Sequence, residues 1–355
     1  MGLSNRADRL ASLQAAMQSR ILVTEGAMGT MIQGWKLGED DYRGPAFCGH
    51  DHSQKGNNDL LNLSRPDVIE AIHNQYLDAG ADIIETNTFS TTWIAQADYG
   101  MESEIAAIAR SGAELARKVA DARTAETPDR PRFVFGNLGP TNRTCSISPH
   151  VEDPGYRGIT FDQMRAAYVD QARALIEGDV DALLIETIFD TLNAKAAIHG
   201  ILDLAEEMGE IVPIVLSATI TDLSGRNLCG QTVSAFWQSV KHAEPLAVGL
   251  NCGFGAEQLR VHVAELARIA DVPIIAYPNA GLPNELGGYD EEPETTGTYI
   301  REWAEAGLIN ITGGCCGTTP DHIAAIARAV EGVAPRKVPA VAPRFRLSGL
   351  DVFAA

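Results

Sequence analysis

Eight short runs rich in β-branched and other apolar residues recur along this chain, and most are followed by a longer stretch with helical periodicity. The runs cover residues 21–25, 82–86, 132–136, 182–186, 213–218, 246–251, 273–277 and 308–312. Helical patterns fill 66–79, 105–122, 162–177, 256–269 and 320–330, with one more, about 6–19, ahead of the first run. In the last pattern Ile323, Ile326 and Val330 recur at three- and four-residue spacing, and Pro320 suits the first helical position. Eight strand–helix units in succession predict a parallel sheet closed on itself, an α/β protein of the (β/α)8 TIM barrel type. A doubly wound open sheet would carry a glycine-rich phosphate fingerprint after its first strand. Gly26-Ala27-Met28-Gly29-Thr30 lacks that spacing, and Gly253-Phe254-Gly255 has Gln258 where the third glycine belongs. The expected organisation is an N-terminal helical extension (1–20), the barrel (21–333), and a short Pro- and Ala-rich C-terminal tail (334–355) that leaves the barrel as a docking arm or linker. Long loops after strands one and three, about 35 and 25 residues, are the expected lids or contact surfaces, with no regular pattern over 36–63.

Composition matters here for what it excludes. A formal net charge of -19 argues against nucleic acid as a partner, which needs a basic footprint. No apolar run approaches the roughly 18 residues that span a bilayer. Leu3, Leu10, Leu13 and Met17 are interspersed with charges, so there is no secretory core, and Arg6 stands where a myristoylation signal wants Ser or Thr. A cytoplasmic location is expected. Six cysteines in such a chain do not read as a disulfide framework.

In a barrel of this type, chemistry gathers at the C-terminal ends of the strands. Those ends read Glu25, Glu85-Thr86-Asn87-Thr88, Glu186-Thr187, Asn251-Cys252, Pro278-Asn279 and Gly313-Gly314-Cys315-Cys316-Gly317. Adjacent side chains of a strand point to opposite faces, so Cys315 and Cys316 can act together only on a distorted turn, for which Gly313, Gly314 and Gly317 supply freedom at positive φ. Strands six and eight are both even-numbered, so Cys252 can fall in the same layer. Three thiolates with a fourth position open describe a catalytic zinc site, and sulfur favours Zn²⁺ over Mg²⁺. Two other readings stand beside it: small buried residues, or a thiol redox switch at Cys315-Cys316. A sulfur-rich zinc ion is a weak activator of water but stabilises a substrate thiolate near neutral pH, which points to alkylation of a thiol. Cys48-Gly49-His50-Asp51-His52 resembles a second metal cluster, but it lies in a polar loop without a convergent partner; Cys145 and Cys229 read as ordinary residues. For a thiol amino acid, Glu25 and Glu186 can share the ammonium, Gly26, Ala27 and Met28 can offer backbone N–H groups to the carboxylate, and Asn87 is a further candidate contact. The competing structural roles are a turn cap for Glu25 and an ion pair with Lys195 for Glu186.

These residues belong to longer stretches: Glu25–Thr30, Lys55–Leu61, Glu85–Phe89, Gly139–Thr144, Glu186–Thr191, Gly249–Cys252 and Gly313–Pro320. Along nearly its whole length the chain resembles the homocysteine-binding domain of cobalamin-dependent methionine synthase. The resemblance implies a (β/α)8 barrel, zinc on Cys252, Cys315 and Cys316, and Asn279 as fourth ligand until substrate sulfur displaces it. It also implies methyl transfer to homocysteine from methylcobalamin, and cobalamin- and folate-binding domains or subunits as partners. One departure is Glu25, where the family commonly has Asp. A second is length: family members usually continue into folate, cobalamin and reactivation domains, whereas this chain stops at Ala355, shortly after a junction-like segment, 346–350. A natural subunit with its other domains on a separate chain is expected ahead of an excised fragment. The rival activities are a cobalamin-independent homocysteine methyltransferase using betaine or S-methylmethionine, and a non-catalytic zinc docking module.

Overall fold

The computed structural model describes residues 5–355. Leu3 of the targeting argument lies outside them. Eight parallel strands form one sheet: Leu22–Val23 (β1), Ile83–Glu85 (β2), Phe133–Leu138 (β3), Ala182–Ile188 (β4), Ile214–Ala218 (β5), Ala247–Gly255 (β6), Ile274–Asn279 (β7) and Ile311–Thr312 (β8). Each pairs with its neighbour in sequence, β1 pairs with β8, and a parallel bridge between Thr24 and Ile83 joins β1 to β2 and closes the (β/α)8 barrel. All eight expected strands are present. The helices Pro66–Asp78, Ile105–Glu126, Phe161–Glu177, Ala256–Ile269 and Pro320–Val330 follow the periodic segments, several with a residue or more of shift at their ends.

Alternation along the strands builds the interior. Leu22, Ile83, Phe133, Phe135, Ala182, Leu184, Val215, Ala247, Ile275 and Ile311 form one buried cluster inside the barrel. The helix Arg6–Ser19, capped by Asn5 accepting from the N–H of Asp8, adds Leu13 and Met17 to that cluster and so seals the N-terminal end. A second, larger cluster lies between the strands and the outer helices.

Two regions differ from expectation. Residues 36–63 carry more order than their sequence suggests, with a helix at Glu39–Arg43, a 3₁₀ turn at Asn58–Leu60 and a helix at Leu61–Ser64. Pieces of three to five residues are too short to display a 3.6-residue period. The Glu39 carboxylate gathers the loop, accepting from Ser53 Oγ at 2.6 Å and from the N–H groups of Gln54 and Lys55 at 2.8 Å. The tail, read from sequence as leaving the barrel, instead lies back against it. The Arg336 guanidinium donates to the carbonyls of Ala267, Ala270 and Val272. A hairpin of Arg346–Ser348 (β9) and Val352–Ala354 (β10) then fastens to the segment before and within the helix Val233–Val240, through Thr232 N–H to Leu350 O and Ser348 Oγ to Ala235 O. Proline and alanine gave no sign of these anchors, which are made with backbone groups elsewhere in the fold. No helix among the described residues is long and apolar enough to cross a membrane.

Candidate functional site

Continuing the inward alternation by one step at the C-terminal ends replaces apolar residues with polar ones: Thr24, Glu85, Asn137, Glu186 and Ser217. They are joined across the barrel. Thr24 Oγ1 donates to Glu85 Oε1 at 3.0 Å, and Asn137 Nδ2 donates to Glu85 Oε2 at 3.3 Å and Glu186 Oε1 at 2.5 Å. Tyr277 OH donates to Glu186 Oε2 at 3.0 Å. Burial pushes Glu186 up to about 7 despite the donors from Asn137 and Tyr277, and burial with the neighbouring Glu186 and Glu25 holds Glu85 well above the usual carboxylate range. This polar layer floors a cavity of about 840 Å³, lined by Glu25, Gly26, Ala27, Met28, Asn87, Glu186 and Cys315 among others, but by no Lys, Arg or His.

The sulfurs of Cys252, Cys315 and Cys316 lie within 4.8 Å of one another, the only such group of three or more metal-ligating side chains among the described residues. Cys252 and Cys316 approach to 3.7 Å. Cys252 stands where β6 loses its register with β7, between Asn251 and Gly255, and it holds a left-handed φ of 58°. That conformation is costly for a residue with a Cβ and is found where surroundings over-determine it. Asn251 anchors the distortion, donating to Thr187 Oγ1 at 2.8 Å and accepting from Ser217 Oγ at 2.7 Å. On the β8 side only Gly317 uses positive φ, at 79°. Gly313 and Gly314 serve differently from expectation: a Cβ on either would come within 2.4 Å of Thr24 or Thr318, so they are needed for close packing.

Asn279 ends β7 beside these sulfurs. The carbonyl of Pro278 accepts from Cys315 N–H at 2.8 Å, and Ala280 N–H donates to the carbonyl of Cys316 at 2.9 Å, so Asn279 is bracketed by backbone bonds to both cysteines. Its Oδ1 is buried without a hydrogen-bond partner among the described residues. Hydrogen bonds from Cys252 and Cys315 pull Cys316 down to about 3, whereas Cys315, giving its proton to Cys252 and Cys316 and largely removed from solvent, is held well above an ordinary thiol. A thiolate crowded by two thiols and an orphaned amide oxygen is a donor set that fits a soft divalent cation.

At the polar end, Glu186 bonds Asn137 and Tyr277 rather than Lys195. Both oxygens of Glu25 are engaged, by His73 Nδ1 at 3.0 Å and by the N–H of Glu85 at 3.1 Å. Ala27 N–H is taken by Thr318 Oγ1 at 3.2 Å, which leaves Gly26 and Met28 as the N–H groups of that turn without a partner among the described residues. Asn87 Nδ2 donates to Asn58 O and Asn62 Oδ1, tying the first two rim loops together. His50 Nε2 meets the carbonyl of Gly100 at 3.1 Å, and Cys48 is exposed. Burial pushes Cys145 up to about 11 and Cys229 to about 12, the behaviour of inert thiols. The sequence reading noted Glu85 only as a strand-end residue without a role, and missed Asn137 and His73. Strict period-two counting from Ile83 and Phe133 marks the first two as inward, and His73 stands alone as a base on the apolar face of Pro66–Asp78.

Fold and site together define a (β/α)8 barrel in which three cysteines converge beside a cavity lined by carboxylates. The sequence profile of the homocysteine S-methyltransferase family matches residues 22–330, and the chain belongs to that family. Among solved structures it is similar to the homocysteine methyltransferase MmuM from Escherichia coli. The metallated form superposes with a TM-score of 0.69 at 23% identity, covering 90% of this chain and 99% of that one. The oxidized form gives 0.67 at 22% identity, covering 87% and 95%. The apo form gives 0.65 at 21%, covering 88% and 97%. At these identities the likeness concerns the fold.

Proposed function

We propose that this homocysteine methyltransferase binds zinc through Cys252, Cys315 and Cys316 and activates homocysteine as a thiolate for methylation by methylcobalamin presented on a partner domain or chain, giving methionine. The observation that carries the reading is the convergence of three sulfurs and an unpartnered Asn279 Oδ1 at the edge of an acidic cavity. A zinc ion held there would supply the positive charge that keeps a bound thiol deprotonated near neutral pH while leaving its sulfur nucleophilic. The protein's own residues do the rest. Asn251 and the Gly313–Gly317 turn hold the cysteines in place before substrate arrives. Glu186, with the carboxylates around it, draws the ammonium group, and the free N–H groups of Gly26 and Met28 lie on the turn that would receive the carboxylate. A partner-borne donor is supported by the rim. Gly56–Asp59 and Pro140 with Asn142, from two of the stretches that carry the resemblance to the cobalamin-dependent proteins, line the cavity.

Zinc X-ray absorption with and without homocysteine tests the first half. Three sulfurs plus one nitrogen or oxygen should become four sulfurs, and a site unmoved by homocysteine sinks the mechanism. Assays with methylcobalamin, betaine and S-methylmethionine test the donor. Turnover with either small onium compound but not with methylcobalamin would assign the chain to the direct-transfer branch.

A further inference from the structure

The loop that follows β7 is a small hairpin built round Asn284. An antiparallel bridge joins Pro283 to Tyr289, and Asn284 N–H donates to the carbonyl of Gly288 at 2.8 Å. Asn284 Oδ1 accepts from the N–H groups of Leu286 and Gly288, at 3.0 and 2.9 Å. Glu291 closes the base, its N–H donating to Ala280 O and its carbonyl meeting His322 Nε2 at 2.8 Å. From Leu282 to Asp290 every residue but Tyr289 is exposed, and Leu286 at the tip is 96% so. Tyr289 turns inward and lies against the cysteine turn. A Cβ on Gly317 would come within 2.3 Å of Tyr289 Cβ and Cγ, so the glycine after Cys316 yields the space that this side chain fills. Tyr289 lines the cavity beside Cys315 and Cys316, and its hydroxyl is within hydrogen-bonding reach of the Cys316 sulfur.

The other two sulfurs each have a donor besides their neighbouring thiols. Asn251 Nδ2 donates to Cys315 Sγ at 3.9 Å, and Gly253 N–H donates to Cys252. A hydrogen bond to an ionised sulfur is charge-assisted, and donors placed behind the ligands of a metal orient them and tune the ion. A phenol, with an ordinary pKa of about 10, keeps its proton at neutral pH and so meets an anionic sulfur as a donor.

We infer that Tyr289 is a positioning residue of the metal site: its hydroxyl donates to the Cys316 thiolate, so that each of the three sulfurs has one polar donor, and its ring pins the loop against the cysteine turn. The assignment rests on the zinc reading above and extends it to a loop that supplies none of the three cysteines.

Tyr289→Phe keeps the ring on Gly317 and removes only the donor. Wild type and variant are titrated with Zn²⁺ in competition with a chromophoric chelator, and each is separately loaded with Co²⁺ to read the sulfur-to-metal charge-transfer band. In the variant the zinc Kd should rise at least about tenfold. The cobalt band should move to longer wavelength, because a sulfur relieved of its hydrogen bond gives up charge more readily. A band that stays in place, whether or not the affinity falls, leaves Tyr289 a packing residue and overturns the inference. If wild type binds neither ion stoichiometrically, the zinc reading itself falls and takes this one with it.

Discussion

Asp82 and Asp181 stand at the N-terminal ends of β2 and β4; the same two strands carry Glu85 and Glu186 at the other end of the barrel. All four carboxylates are buried or nearly so. At the sealed end, Asp82 accepts from Arg20 Nη1 at 2.6 Å, Arg130 Nε at 2.7 Å and Val23 N–H at 3.0 Å. Asp181 likewise takes Arg9 Nε at 2.5 Å, Arg117 Nη1 at 2.9 Å and Val134 N–H at 2.8 Å. Each aspartate thus has two guanidinium groups and a backbone donor. At the open end, Glu85 and Glu186 have only hydroxyl and amide donors and no cationic side chain beside them in the cavity. A buried carboxylate saturated by arginine belongs to the architecture. One left with neutral partners, next to a second of its kind, is arranged for a cation that arrives from outside.

The largest effect should come from the open end. Cys316→Ala is expected to abolish methyl transfer and to weaken zinc binding by more than the roughly 100-fold that losing a supporting hydrogen bond costs a metal site, while the circular dichroism stays native. Zinc retained at full stoichiometry would remove the metal centre from the comparison. At the sealed end, Asp181→Ala takes the buried carboxylate partner from Arg9 and Arg117, whose side chains are 5% and 8% exposed, and leaves them only the half-exposed Asp179 and Asp121. A loss of about 3–5 kcal/mol in urea unfolding is expected, with turnover of the remaining folded protein unchanged. An undiminished stability would show that the two ends are not so different.

Glu186→Gln should do the reverse, raising the homocysteine KM by roughly 10- to 100-fold without destabilising the protein. Its pH dependence sharpens the point. Burial raises Glu186 from 4.5 to about 7, so the stability of the neutral form is fully present below pH 4.5 and is lost as pH rises through about 7. Between pH 5 and pH 8 wild type should therefore lose up to about 3 kcal/mol relative to Glu186→Gln, read from urea midpoints. Parallel profiles would mean that Glu186 stays charged throughout. The smallest effect is expected for Arg130→Ala. Its guanidinium is 43% exposed, and Asp82 keeps Arg20 and the Val23 N–H, so a cost of about 1 kcal/mol or less should appear.

Much of this molecule is written in short-range pattern. Alternating strand and helix periods announce a closed parallel barrel, because a helix and a buried strand expose different repeats of apolar residues whatever surrounds them. The cysteines of β6 and the β8 turn, and the carboxylate of β4, announce themselves because such side chains at strand ends have little structural use. What pattern does not carry is partnership. That Asp181 would find Arg9 and Arg117 while Glu186 would find only Asn137 and Tyr277 depends on residues far apart in the chain. That Glu25 would be drawn to His73, that Gly313 and Gly314 yield space while Gly317 yields a left-handed turn, and that the tail would fold back through Arg336 were likewise decided in three dimensions. Hydrogen bonds and charges act over a few ångströms, so a residue's type is a property of the sequence, but its neighbours, and with them its protonation and its role, exist only once the barrel has closed.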